Sequence, residues 1–382
     1  GLGRALKRID QALNMIGARL GLDHDRVLFG RFAVPVITRY LDQRKGEITQ
    51  TERDKLLFWF VQAGMWGRFS GSTESYIDQD LRAIEDIDGA LDRLIEQLRL
   101  WHGGLRVEPG HFAGYSLGAR FYPVLYMLTR VGEARDLGRD GLPLKAHMLG
   151  KMSALEVHHI FPRSLLYDAG YSRAEVNAVA NFCFLTKDSN LQISNRRPED
   201  YMEEVEANNL GALASQFIPT DRDLWRIERY RDFLEARRAL LADATNAFMV
   251  ELLHGDDTVL GETAGPPAGS VAPPPGGVES AEEEAILRDL QDWTEAQGFG
   301  RGVYLHELVD DATGAAQAVL DLAWPNGLQQ GLSQPVAVLL NEGPEVMAAA
   351  SAHGVRCFTS AAGFKAYVSG ELGCGSSDVE AA

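Results

Sequence analysis

Cysteine is scarce in this chain: three in 382 residues, Cys183, Cys357 and Cys374, with no Cys-x-x-Cys spacing. An odd count without paired spacing argues against a disulfide framework and against a structural zinc knuckle, and it makes a reducing cytoplasm the simpler home. Long apolar runs are also missing. Nothing approaches the roughly 18 consecutive apolar residues of a membrane-spanning helix, and the first twenty residues carry Arg4, Lys7, Arg8, Asp10 and Arg19 on an amphipathic pattern instead of a secretory leader. A soluble, non-secreted protein without a membrane partner is expected. The first residue is Gly, not Met, so a fragment or a processed chain is expected as well.

An excess of positive charge is the third absence, with 37 Lys+Arg against 54 Asp+Glu and a net charge of −17. That balance disfavours nucleic acid as a partner until it is divided along the chain. Residues 1–140 carry +1, residues 141–250 carry −2 and residues 251–382 carry −16. The acidity therefore belongs to the C-terminal third, and phosphate binding elsewhere must rest on local basic clusters.

What is present begins with helical periodicity. Leu2, Ala5, Leu6, Ile9, Leu13, Ile16 and Leu20 recur at three and four residues. Further helical stretches follow at 27–41, 51–66, 72–86, 88–101 and 121–131, that over 51–66 apolar nearly all round from Leu56 to Val61 and therefore buried. Residues 1–140 read as a helical domain held together by packing, with Arg68, Arg120 and Arg130 as candidate phosphate contacts. Residues 141–254 hold two short strands, 157–161 and 181–186, a turn or helix over 188–195, a helix opened by Pro198 and a long helix over 223–253. Residues 255–280, with Pro266-Pro267 and Pro273-Pro274-Pro275, form a mobile linker. Residues 281–382 alternate helices (281–297, 344–353, 361–368) with apolar strands (318–324, 335–341, 355–358), the pattern of a small α/β domain. The fold expected is thus multi-domain α+β.

The chemistry concentrates in Leu155-Glu156-Val157-His158-His159-Ile160-Phe161-Pro162 and, some twenty residues on, Asn181-Phe182-Cys183-Phe184-Leu185-Thr186-Lys187-Asp188-Ser189-Asn190. Imidazole and amide oxygen can hold a divalent cation, and a neutral imidazole is a good base near pH 7. Phosphodiester hydrolysis needs both. Neighbouring strand residues point to opposite faces, so His158 and His159 can take different roles where a turn or helix wraps the strand end. Nine histidines in a chain of this length give an adjacent pair by chance about 0.2 times. Hence the doublet matters only together with the Ile-x-Pro after it and the spaced asparagines; otherwise both histidines are ordinary hydrogen-bonded residues and the asparagines turn formers.

In these residues, over roughly 145–205, the chain resembles the HNH, or ββα-metal, nucleases, including those within RNA-guided enzymes. The resemblance implies His159 as general base, His158 and Asn190 as metal ligands, and Asn181 as the residue that holds the strands and orients the His159 ring. Asn190 stands where many members have His, which favours Mg²⁺ or Mn²⁺ over zinc. The products implied are 5′-phosphate and 3′-hydroxyl ends of DNA. Glu156 is a candidate partner for an imidazole, with a solvated strand position as the alternative. Arg163, Arg196 and Arg197 are candidate phosphate contacts, with plain solvation as theirs.

Two wider resemblances follow. Gly67-Arg68-Phe69-Ser70 in a helical region, then the HNH segment with its Ser194-Asn195-Arg196-Arg197-Pro198 tail, resembles the C-terminal half of GmrSD-type restriction endonucleases and their phosphorothioate-sensing relatives in phage defence. Those carry a nucleotide-hydrolysing, ParB-like domain ahead of the helices, so a fragment without that sensor is implied. Asp321-Leu322-Ala323-Trp324-Pro325 and Val336–Glu342 resemble the central strands of PD-(D/E)xK nucleases, except that Pro344 replaces the lysine. A degenerate domain for a protein partner, or one that mimics DNA, is expected there. The alternatives to a DNA endonuclease are a catalytically silent binding module and an RNA nuclease.

Overall fold

A computed structural model describes residues 2–23, 27–69, 73–115, 120–138, 140–145, 155–261, 276–277, 281–309, 316–329 and 332–372. Two compact units result, one within residues 1–270 and the other within 271–382. The chain is mixed α+β and mostly helical. In the first unit, α1 (Leu2–Leu20), α2 (Val34–Gln43), α3 (Gln50–Met65), α4 (Thr73–Ala83), α5 (Ala90–His102) and α6 (Tyr122–Val131) come first. The chain continues through β1 (Glu156–His159), α7 (Arg163–Asp168), α8 (Arg173–Val176), β2 (Phe182–Leu185), α9 (Lys187–Ile193), α10 (Pro198–Asn208), α11 (Ala212–Ser215) and α12 (Tyr230–Leu252). Helix α3 shows why these residues fold so: Thr49 Oγ1 accepts the Glu52 N–H at 3.2 Å while Glu52 Oε2 accepts the Thr49 N–H at 2.8 Å. Leu56 through Val61 then lie buried on every side, as their unbroken apolar run requires.

The segments expected over 1–140 and 141–254 share this unit, because α12 packs against α3, α6 and the turn Pro109–Ala113. Asn246 fixes that docking by accepting from the Val107 N–H and donating to the Val107 carbonyl, both at 2.8 Å. Helix α12 starts later than periodicity suggests. Asp221 caps a local turn through the Asp223 N–H at 3.0 Å, and Arg226 is extended, so two 3-10 turns precede Tyr230. The stretch between the strands contains α7 and α8, the latter started by a Ser172–Glu175 capping box.

In the second unit α13 (Ala281–Ala296) precedes β3 (Val303–Val309), β4 (Ala316–Trp324), β5 (Val336–Val338), α14 (Pro344–Ala352), β6 (Arg356–Phe358) and α15 (Ala361–Tyr367). The sheet order is β3-β4-β5-β6, with the first two pairings antiparallel and the last parallel, joined by α14. Strand β3 was absent from the expected elements, since His306-Glu307 interrupts its apolar pattern. Of the linker expected over 255–280, residues 262–275 and 278–280 lie outside the described residues, as do 146–154, Ser70 and Cys374. Among the described residues no helix is long and apolar enough to cross a membrane.

Candidate functional site

Strands β1 and β2 pair antiparallel, with Glu156 opposite Leu185, His158 opposite Cys183 and His159 opposite Phe182. All four residues of β2 are buried. Cys183 and Leu185 join a core with Leu166, Val176, Ile193, Tyr201 and Met202, and burial in that core pushes the Cys183 thiol up to about 12. Phe182 and Phe184 face the other way onto Tyr122 and Tyr126 of α6, with ring centroids 5.0–6.4 Å apart. The pleat thereby settles the histidines: His158 and Glu156 share one face, and His159 takes the other.

Helix α9 is set against the first face by Asp136. Its carboxylate accepts the Thr186 N–H at 3.2 Å, the Thr186 hydroxyl at 2.8 Å and the Ser189 hydroxyl. One turn on, Asn190 donates from Nδ2 to Glu156 Oε2 at 2.7 Å, which leaves Oδ1 2.8 Å from His158 Nδ1. Glu156 therefore holds the Asn190 amide, which is neither the imidazole contact nor the solvated strand position weighed for it. His158 is 4% exposed, and burial pushes it down to about 4 against the opposing pull of the Asn190 bond and the Asp136 charge. Its Nε2 is enclosed with no hydrogen-bond partner among the described residues.

On the second face, His159 Nε2 lies 3.2 Å from Asn177 Oδ1 and the Phe182 ring meets the imidazole edge-on at 4.9 Å. Burial, and then the positive charge of Arg163 at the start of α7, hold His159 well below its ordinary value. Asn181, expected to orient this ring, is spent elsewhere. It is fully buried, accepts the Phe161 N–H at 2.8 Å and donates to the carbonyls of Phe161 and Val176 at 3.1 and 2.9 Å. It closes the loop between the strands, and the amide at the His159 ring is Asn177.

The remaining arginines divide. Arg196 and Arg197 are exposed and pair with Glu204 at 2.8 Å and Glu199 at 2.6 Å, so a phosphate there competes with a carboxylate. Arg68 is fully buried in a bidentate pair with Asp80 at 2.7 and 2.8 Å, between Tyr76 and Trp101. Arg130 is buried and bonded to Asp23 at 2.8 Å and to the Leu144 carbonyl at 3.1 Å. Those two are corrections: neither guanidinium is open to phosphate. Arg120 reaches the Trp66 carbonyl at 3.4 Å.

Beyond Asn177 and Asp136, sequence reasoning missed Gln216 and Arg237. Gln216 donates to the carbonyls of Phe184 at 3.1 Å and Arg135 at 2.8 Å, and the fully buried Arg237 donates to the Ala180 carbonyl at 2.8 Å. The available signal was a lone amide within the otherwise apolar Val176–Ala180 run. In the second unit Asp321 is fully buried and accepts the Leu340 N–H at 2.6 Å, while Glu342 lies past the end of β5. Among the described residues no three or more His, Cys, Asp or Glu side chains are grouped to hold a metal. The nearest to a ligand set is the His158–Asn190 pair, which such a grouping omits because one donor is an amide.

Comparison with known proteins adds little. No protein-family model matches the chain, and no solved structure does. The chain is similar, at 24% identity over 161 residues, to an uncharacterized protein, MJ0686, of Methanocaldococcus jannaschii. The match covers 40% of this chain and 26% of that protein, so the chain spans about a quarter of its relative's length.

Proposed function

We propose that this chain is a metal-dependent HNH endonuclease that hydrolyses DNA phosphodiester bonds in the cytoplasm, in a restriction or phage-defence system of the GmrSD type. The observation that carries the reading is the Glu156–Asn190–His158 chain, built on a strand, a second strand and a helix, with a neutral His159 next door. The arrangement supports a ββα-metal core over the described part of 145–205.

The donor set fits Mg²⁺ or Mn²⁺. His158 and, through its amide oxygen, Asn190 would hold the cation; in the free chain His158 Nδ1 donates to Asn190 Oδ1 at 2.8 Å, so binding would displace that proton. Glu156 fixes which Asn190 atom faces the imidazole, since a carboxylate accepts only from Nδ2. A bound cation would supply charge stabilisation for the pentavalent phosphate and the leaving oxygen. His159 takes a proton from water, the water oxygen bonds to phosphorus, and the P–O3′ bond breaks to leave a 5′-phosphate and, once protonated, a 3′-hydroxyl. Burial, and then the Arg163 charge, keep the His159 imidazole neutral before that step, and the same charge draws the phosphate toward it.

The His158 Nδ1–Asn190 Oδ1 hydrogen bond, which engages the two candidate ligands with each other, supports a second reading, a silent module that binds DNA or protein. The acidic residues 281–382 fit a protein partner or a DNA-mimicking role in either case. Supercoiled-plasmid nicking with Mg²⁺, Mn²⁺ and chelator, beside His159→Ala and a parallel single-stranded RNA substrate, separates the readings. Metal-dependent nicking lost in His159→Ala is expected. A folded wild-type chain that cuts nothing with any divalent metal would overturn the nuclease proposal, and cleavage of RNA alone would redirect it.

A further inference from the structure

Resting on that reading for its consequence, though not for its geometry, a second amide acquires a role. We infer that Asn177 is a positioning residue that holds His159 as the Nε2–H tautomer, leaving Nδ1 as the atom that accepts the proton. Asn177 is only 2% exposed and ends α8. Its Nδ2 donates to the Arg173 carbonyl at 3.2 Å, and its backbone N–H donates to the same oxygen at 3.0 Å. A carbonyl offers no hydrogen, so the amide is oriented with Nδ2 toward Arg173. The reverse orientation would set two acceptor oxygens against each other at that distance.

Oδ1 is then the atom 3.2 Å from His159 Nε2. An amide oxygen only accepts, so the imidazole nitrogen facing it carries the proton. A neutral imidazole has one proton, hence Nδ1 holds the lone pair. The backbone beneath Asn177 is pinned on both sides. The Ser172–Glu175 capping box starts its helix, Ala178 bridges Tyr115, and the Val179 N–H donates to the Gly114 carbonyl at 2.9 Å. The Phe182 ring packs edge-on against the imidazole and opposes its turning over. Amide and ring are thus held before substrate arrives, which is what a base acting through one nitrogen requires.

The test is ¹⁵N-histidine NMR on the full-length, metal-free protein, with His159 assigned by its loss in His159→Ala. The wild type is expected to show a single Nε2–H tautomer whose ring proton exchanges slowly. In Asn177→Leu that protection disappears and the tautomers mix. In nicking assays Asn177→Leu lowers kcat by about 10–100-fold with KM for DNA unchanged. An Nδ1–H tautomer in the wild type overturns the inference whether or not the variants fold. So does an Asn177→Leu spectrum identical to wild type. A protein with the expected tautomer but no nuclease activity would sink the proposed function and leave the tautomer assignment standing.

Discussion

His159 and Asn181 look alike in the sequence as parts of one motif, yet their surroundings separate a proposed base from a residue that holds the loop. His159 is only partly exposed at the end of β1, and removing its ring strands the buried Asn177 Oδ1. His159→Ala is expected to reduce nicking by about 10²–10⁴-fold, the range of general-base catalysis, at a stability cost of about 1–3 kcal/mol for the one amide oxygen left unsatisfied. Asn181 makes three buried hydrogen bonds to Phe161 and Val176 backbone groups. Truncation strands those groups at about 1–3 kcal/mol for each one left unsatisfied. Asn181→Ala is therefore expected to lose several kcal/mol in urea unfolding, and an unchanged midpoint would show that the loop does not depend on it. Glu156 belongs between these two cases. Glu156→Gln can present Oε1 to the Asn190 Nδ2–H and keep the amide oriented, whereas Glu156→Ala frees it. Titration of Mn²⁺ should show weakening of about 10–100-fold in Glu156→Ala and much less in Glu156→Gln; equal affinities in both would remove Glu156 from the site.

At the scale of elements, the placing of α9 decides whether Asn190 meets His158, and that placing comes from outside the motif. Asp136 holds the Thr186 and Ser189 hydroxyls, and Gly138 lets the chain pass directly over Ser189. A Cβ at residue 138 would lie 2.2 Å from Ser189 Oγ, 3.1 Å from Asp136 Oδ2 and 3.3 Å from Ser189 Cβ. The hydroxyl cannot swing aside without leaving Asp136. Gly138→Ala is expected to cost about 1–3 kcal/mol, as overpacking does, and to weaken metal binding because α9 shifts with Ser189; a variant with wild-type stability and affinity would free α9 from this control. None of this was legible in the sequence, because Asp136 and Gly138 lie some fifty residues before α9 and nothing local marks the contact. Local signals were legible where chemistry and period coincide: the unbroken apolar run of α3, the apolar run of β2, the asparagine nine residues after Asn181. Period alone failed at β3, broken by His306-Glu307, and at α12, where the Asp221 cap wins over helical continuation.

Across the whole molecule, charge is the property that distinguishes the two units. Residues 271–382 hold 4 basic and 16 acidic residues, so they contribute −12 of the total −17, and residues 1–270 contribute −5. A tethered polyanion repels a DNA backbone over about one Debye length, roughly 30 Å at 0.01 M and 8 Å at 0.15 M ionic strength. Each unit has its own buried core, Leu308, Leu320, Leu339 and Val346 in the second and the cluster around Phe161, Tyr201 and Phe233 in the first. A chain ending at residue 270 is accordingly expected to melt cooperatively by itself. It should bind duplex DNA more tightly than the full chain at low salt, with the two affinities converging as ionic strength rises past physiological values. Fluorescence anisotropy across a salt series reads this directly. Equal affinities at every salt concentration would mean that the acidic unit does not act on DNA through its field. A shorter chain that binds worse would assign it a positive part in recognition, contrary to its charge.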